Sequence, residues 1–152
     1  MDLSKIEYIH ERSKRFCNIS AHYKGIRVAY FWHEINKDGS VLAADIHVCD
    51  RVELKNSFPH RLMRRVVPNW QVISARNLGL GGALLTKLLE DCDKRGVPLV
   101  YGNVTDTDTP HRPFLKAWYE RNGFEIAPPD SVVGDAPNPR NTEYQIIRKL
   151  PA

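Results

Sequence analysis

Long apolar runs are absent from this 152-residue chain. None approaches the roughly 18 residues of a membrane-spanning helix, so no membrane partner is expected. Cysteine is scarce. Cys17, Cys49 and Cys92 stand far apart and odd in number, without CxxC or clustered Cys/His spacing. That excludes a disulfide framework and a zinc knuckle, and leaves three reduced, at least partly buried thiols. Met1 to Phe16 is charged and has no apolar core of a secretory signal, so a cytoplasmic location is expected. Without that signal, Asn18-Ile19-Ser20 is a chance glycosylation match. No internal repeat or low-complexity tract occurs. Charge of one sign is also in short supply. The excess of +4 fits an acidic ligand and weak nucleic-acid contact alike, and its densest cluster, Arg61, Arg64 and Arg65, reads as a solvated face.

With 42% hydrophobic and 26% charged residues, the composition is that of an ordinary soluble globular protein. The length fits one domain over residues 1–152, long enough to bury roughly 68–70% of its unfolded surface.

Ser4-Lys5-Ile6-Glu7 has the spacing of a capping box, and Leu3, Ile6, Ile9 and Phe16 recur near helical period. A first helix is expected over about residues 4–17. Residues 26–35 are β-branched and aromatic and read as a strand; Asp38-Gly39 signals a hairpin turn, and Val41 to Asp50 is the return strand. The next strand has two candidates, 61–67 and 70–75. Ala83 to Cys92 is an amphipathic helix, with Gly96 at its C′ position. Residues 97–104 read as a strand, giving a parallel β-α-β crossover with the strand before the helix. Pro110 or Pro113 opens a short helix lined by Phe114, Ala117 and Trp118 and closed by Gly123. A strand from Phe124, a proline-rich loop over 128–141 and a last strand over 142–150 complete an α/β mixed sheet, antiparallel first and parallel in the middle.

The densest signal is Arg76-Asn77-Leu78-Gly79-Leu80-Gly81-Gly82-Ala83, three glycines at a helix entry. Glycine lets backbone N–H groups approach an anion closely, and a helix N-terminus offers unpaired donors and partial positive charge. A phosphate or pyrophosphate is the natural guest. It is not a Walker loop, because Ala83 follows Gly82 where a lysine is required. It is not a Rossmann fingerprint, because Leu84 occupies the third glycine position and antiparallel strands precede it.

Arg76-x-x-Gly79-x-Gly81 resembles the acetyl-CoA signature of the GCN5-related N-acetyltransferases. Ala117-Trp118-Tyr119-Glu120-Arg121-Asn122-Gly123-Phe124 is similar to that family's second conserved segment, at the usual separation. The resemblance covers about residues 26–127. It implies a single-domain fold whose parallel strands splay around the cofactor. It implies that Arg76, Asn77, Leu78, Gly79, Leu80, Gly81, Gly82 and Ala83 bind acetyl-CoA as co-substrate, with Tyr119 as the acid that protonates the departing thiolate. Direct attack by a primary amine in a ternary complex follows, with no acyl-enzyme and no metal. The resemblance leaves the acceptor open, a protein or an aminoacyl-tRNA included, as well as a longer acyl group, a homodimer, or a non-catalytic coenzyme-binding protein. A general base is sought among Asp45, His47 and Glu53. Asp45 and His47 share one strand face. His111 is a candidate for the acceptor pocket. Trp32 and Trp70 read as core or interface residues.

Overall fold

The computed structural model describes residues 1–53 and 72–150, with the side chain of His111 outside that description. Residues 61–67 and Trp70 therefore lie outside the described residues.

The expected first helix is replaced by a hairpin. Only Leu3–Lys5 forms one 3₁₀ turn, capped by Asp2, whose carboxylate accepts from the Ser4 N–H and hydroxyl. β1 (Ile6–Arg12) then pairs antiparallel with β2 (Phe16–Tyr23) along its whole length. The half-buried Ile6 and Tyr8 share one face at period two and pack against the core, whereas Ile9 is exposed on the other. The recurrence at Ile6, Ile9 and Phe16 gave helical spacing, but sheet pairing outweighed that weak local preference.

β3 (Ile26–Ile35) and β4 (Val41–Val48) form the expected hairpin across Gly39, whose φ of 83° suits the turn. The main sheet runs β1-β2-β3-β4-β7-β9-β8, where β7 is Leu99–Thr105, β8 Glu125–Ala127 and β9 Thr142–Lys149. The α1 helix (Leu80–Lys94) covers one face with Leu84, Leu85, Leu88 and Cys92 fully buried on Ile19, Ala21, Phe31 and Val41. It ends as expected at Gly96, φ 65°. The N–H groups of Gly96 and Val97 donate back to Asp93 and Cys92, closing a Schellman motif.

The parallel crossover exists, but its first strand is β4, not the segment next to the glycines. The chain leaves β4 at Cys49 and returns at Ala75, whose N–H donates 3.1 Å to the Cys49 carbonyl. Between those two residues, β5 (Val52–Glu53) and β6 (Val72–Ile73) pair as a separate two-stranded sheet. Of the 70–75 candidate, only Val72–Ile73 is strand among the described residues, and it stands outside the main sheet.

α2 (Leu115–Arg121) also differs in its facing. Leu115 is buried and Trp118 and Tyr119 pack on the core, while Phe114 and Ala117 face outward. Pro110 opens a separate 3₁₀ turn, Thr109–His111, before the helix. The loop over 128–141 is pinned by Gln145 of β9, which is fully buried. Its side chain donates to the Asn103 side chain (2.7 Å) and the Val132 carbonyl (2.8 Å) and accepts from the Val132 N–H (2.8 Å).

Candidate functional site

β4 and β7 are paired only at Val41↔Val100 and Leu42↔Tyr101; beyond that the two parallel strands part. Two features open the gap. A β-bulge against β3 skips Ala44, so that Trp32 faces Asp45 while His33 faces Ala43. Such bulges re-aim side chains. On the other strand, Gly102 sits at the parting point, where a Cβ would lie 3.0 Å from the Ala43 carbonyl oxygen. Glycine is the residue that tolerates this approach.

The resulting cleft is lined by Ala44, Asp45, Ile46, Asn103 and Val104 of the two strands, and by Asp108, Arg112, Leu115 and Tyr119 from beyond β7. The Tyr119 ring is fixed edge-on between Trp118 (4.7 Å) and Phe124 (5.7 Å). Among the described residues nothing hydrogen-bonds its hydroxyl. Burial pushes that phenol up to about 12, with Tyr144 and Asp108 adding to the rise and Arg112 opposing it. Tyr119 therefore holds its proton throughout the physiological range.

The glycine loop adjoins the same strand. Gly79 is the N-cap of α1 in the left-handed region (φ 75°), preceded by Asn77 at φ 60°. No side chain caps the helix and its first turn carries no acidic residue. A Cβ at Gly82 would meet nothing within 4 Å, and one at Gly81 would rest 3.8 Å from Ile46. Ile46 thus borders both the open helix end and the cleft. Arg76 is ion-paired with Asp50 and its N–H donates to the Ser74 hydroxyl (3.2 Å), which holds the loop against the end of β4. Leu78 packs on the core, Leu80 is buried, and Ala83 donates to the Gly79 carbonyl (3.0 Å).

The base candidates separate. Asp45 lines the cleft. His47 is stacked on Tyr30 (5.1 Å) and does not line the cleft. Glu53 lies on β5, opposite Val72. For His111 the backbone closes the 3₁₀ turn, and the side chain is outside the described residues. Trp32 is 42% exposed and so is not a core residue. All three cysteines are free, Cys17 and Cys92 buried and Cys49 half-buried, as expected. The part of β4 escaped sequence reasoning. The signal for it was the small pair Ala43-Ala44 together with a glycine inside the β7 pattern.

No family sequence model matches this chain, and no curated protein sequence does. Solved structures do. The chain is similar to the PaiA N-acetyltransferase of Thermoplasma acidophilum in complex with coenzyme A (TM-score 0.54, 11% identity, 90% of this chain), though it spans only 62% of that protein's length. It is similar to an acetyltransferase of the GNAT family from Staphylococcus aureus (TM-score 0.60, 14% identity, 90% of this chain and 69% of the other). It is also similar to Arabidopsis thaliana Naa50 in complex with a bisubstrate analogue, CoA-Ac-MVNAL (TM-score 0.52, 17% identity, 88% and 72%). The chain has the GCN5-related N-acetyltransferase (GNAT) fold, a mixed sheet with antiparallel strands and one parallel pair.

Proposed function

We propose that this chain is a GCN5-related N-acetyltransferase that moves an acetyl group from acetyl-CoA to a primary amine. The observation that carries the reading is the junction at Ile46, where an uncapped, glycine-entered helix meets a cleft between splayed strands. The residues fit the coenzyme. The open space beyond Gly82 and the unpaired first-turn N–H groups suit a diphosphate. The gap between β4 and β7 suits an extended arm, since strand backbone freed from pairing offers hydrogen bonds to it.

Acetyl-CoA supplies an activated acetyl group. In the transfer the amine nitrogen bonds to the acetyl carbon and the carbon–sulfur bond breaks. One proton leaves nitrogen and one reaches sulfur. Tyr119, protonated and without a partner among the described residues, donates its hydroxyl hydrogen toward the departing sulfur. With a phenol near 12, above an ordinary thiol at about 8–9, full transfer is uphill. Tyr119 therefore acts by hydrogen-bonding the departing sulfur as negative charge gathers there, and the thiolate takes its proton from solvent on release. Asp45, which lines the same cleft, takes the proton that the acceptor amine gives up. Support for direct transfer is that Cys17, Cys49 and Cys92 are all absent from the cleft lining.

Thiol release from acetyl-CoA, measured over a panel of amines, tests the reading, with coenzyme A binding followed by calorimetry. Release with at least one amine supports it. Tight coenzyme binding with no release from any acceptor would assign the chain a non-catalytic role, and absence of binding would remove the coenzyme altogether.

A further inference from the structure

The acceptor's chemistry can be read from the charges of the cleft, given the transferase reading above. Among the described residues, three charged ones line it: Asp45, Asp108 and Arg112. Asp108 is engaged, its carboxylate accepting from the Thr105 hydroxyl (2.9 Å) and N–H (3.4 Å). Asp45 and Arg112 have neither an ion-pair nor a hydrogen-bond partner among the described residues, and they do not pair with each other. Arg148, Arg12 and Arg76, by contrast, are ion-paired, with Asp93, Asp91 and Asp50.

Backbone placement holds the two apart. Asp45 follows the bulge at Ala44, on the strand that loses its parallel partner. Arg112 is fixed from both sides: its N–H donates to the Thr109 carbonyl (3.3 Å), and its carbonyl accepts from the Leu115 N–H (3.0 Å). Both line the same cleft as Tyr119. A cleft with a free carboxylate on one wall and a free guanidinium on the other matches a guest with the reverse pair. A simple amine would leave Arg112 without a counter-charge. A carboxylate is the group that a guanidinium fork binds bidentately.

We propose that the acceptor is a small zwitterion, an α-amino acid, with its amine directed to Asp45 and its carboxylate to Arg112. Amine and carboxylate then straddle the cleft, and the nitrogen stands on the side of the splayed strands where the acetyl group would arrive.

The test uses the full chain, acetyl-CoA and matched acceptors: a set of free α-amino acids, their carboxamides, and the corresponding amines lacking the carboxyl carbon. Free amino acids should exceed their carboxamides in kcat/KM by about 10- to 100-fold, the range of one charge-assisted contact. Arg112→Gln should bring that ratio toward one, and Arg112→Lys should recover part of it. Should Arg112→Gln fold poorly, the wild-type comparison decides alone. Equal turnover of acids and amides, or a preference for amines without a carboxylate, overturns the zwitterion and leaves the acetyltransferase standing. Release of thiol with none of these acceptors, while a peptide or charged tRNA is acetylated, overturns it too. Failure to bind coenzyme A at all overturns the underlying reading instead.

Discussion

Tyr119 separates a chemical role from a packing role more cleanly than any other side chain in the cleft. Its ring is wedged between Trp118 and Phe124, so the ring packs, but its hydroxyl has no partner among the described residues. Tyr119→Phe removes only the hydroxyl. Stability should therefore change by less than about 1 kcal/mol, because no made hydrogen bond is lost. Coenzyme affinity should stay within about threefold, while kcat falls about 10²- to 10⁴-fold, the usual worth of a positioned proton donor. Melting curves, calorimetry and steady-state rates check the three together; an unchanged kcat removes Tyr119 from the chemistry. The wild-type pH profile adds a check. The phenol loses its proton only near 12, so its ionisation should not bend the alkaline limb below about pH 11. Gly134 is a contrasting case. A Cβ there would collide with the Tyr101 hydroxyl and the Asn36 side chain, which hydrogen-bond each other at 3.0 Å. Gly134→Ala should cost about 1–3 kcal/mol in urea unfolding.

At the scale of elements, the α1 helix with its glycine entry can be divided by substitution. Gly82 lies inside the first turn with a negative-φ backbone and open space where a Cβ would go. Alanine there should stabilise the fold by about 0.5–1 kcal/mol, since glycine is the poorer helix former. The same methyl group would intrude on a bound diphosphate, so coenzyme affinity should drop at least about 10-fold. Gly79→Ala should instead destabilise, because φ of 75° is strained for any L side chain. Urea melts and calorimetry on the pair test this; a Gly82→Ala protein that binds coenzyme A normally would place the diphosphate elsewhere. This helix was legible in the sequence because its signals are local: glycines at its start, Leu84, Leu85, Leu88 and Leu89 at helical spacing, Gly96 at its end. The hairpin β3–β4 was legible for the same reason, through Asp38-Gly39. The first hairpin was not, since β1 is held by pairing with β2 and shows two core-facing residues, too few to mark a period. The splay followed from the family resemblance, but β4 as its first strand was hidden for a different reason. β4 lies far from β7 in the sequence, and its only trace there was the small pair Ala43-Ala44 together with Gly102, too slight to outweigh the segment next to the glycines.

For the molecule as a whole, the sheet is continuous from β1 to β8, and its stability depends on what it buries between β3 and α1. Most of that layer is aliphatic, but His33 is 3% exposed within it, its Nδ1 without a partner among the described residues. Burial holds this imidazole down at about 4, and the nearby Arg95 reinforces the shift while Asp91 opposes it. In the unfolded chain the same group titrates at the ordinary value of 6.5. Between these two values the unfolded state binds a proton that the folded state refuses, so folding is favoured by raising pH through the window and opposed by lowering it. The stabilisation is complete above 6.5 and is lost progressively as pH falls to about 4, amounting to about 3 kcal/mol at the lower end. Carboxylates such as Asp93, held low by Arg148, add their loss mainly below that window. Urea unfolding at half-unit steps from pH 7 to pH 4.5 should therefore show a falling midpoint well before carboxylates titrate. His33→Leu should flatten that slope even if it shifts the overall stability, because the leucine carries no proton in either state. A slope that survives in His33→Leu would assign the acid sensitivity to another group and leave the buried imidazole without influence on the folded molecule's pH range.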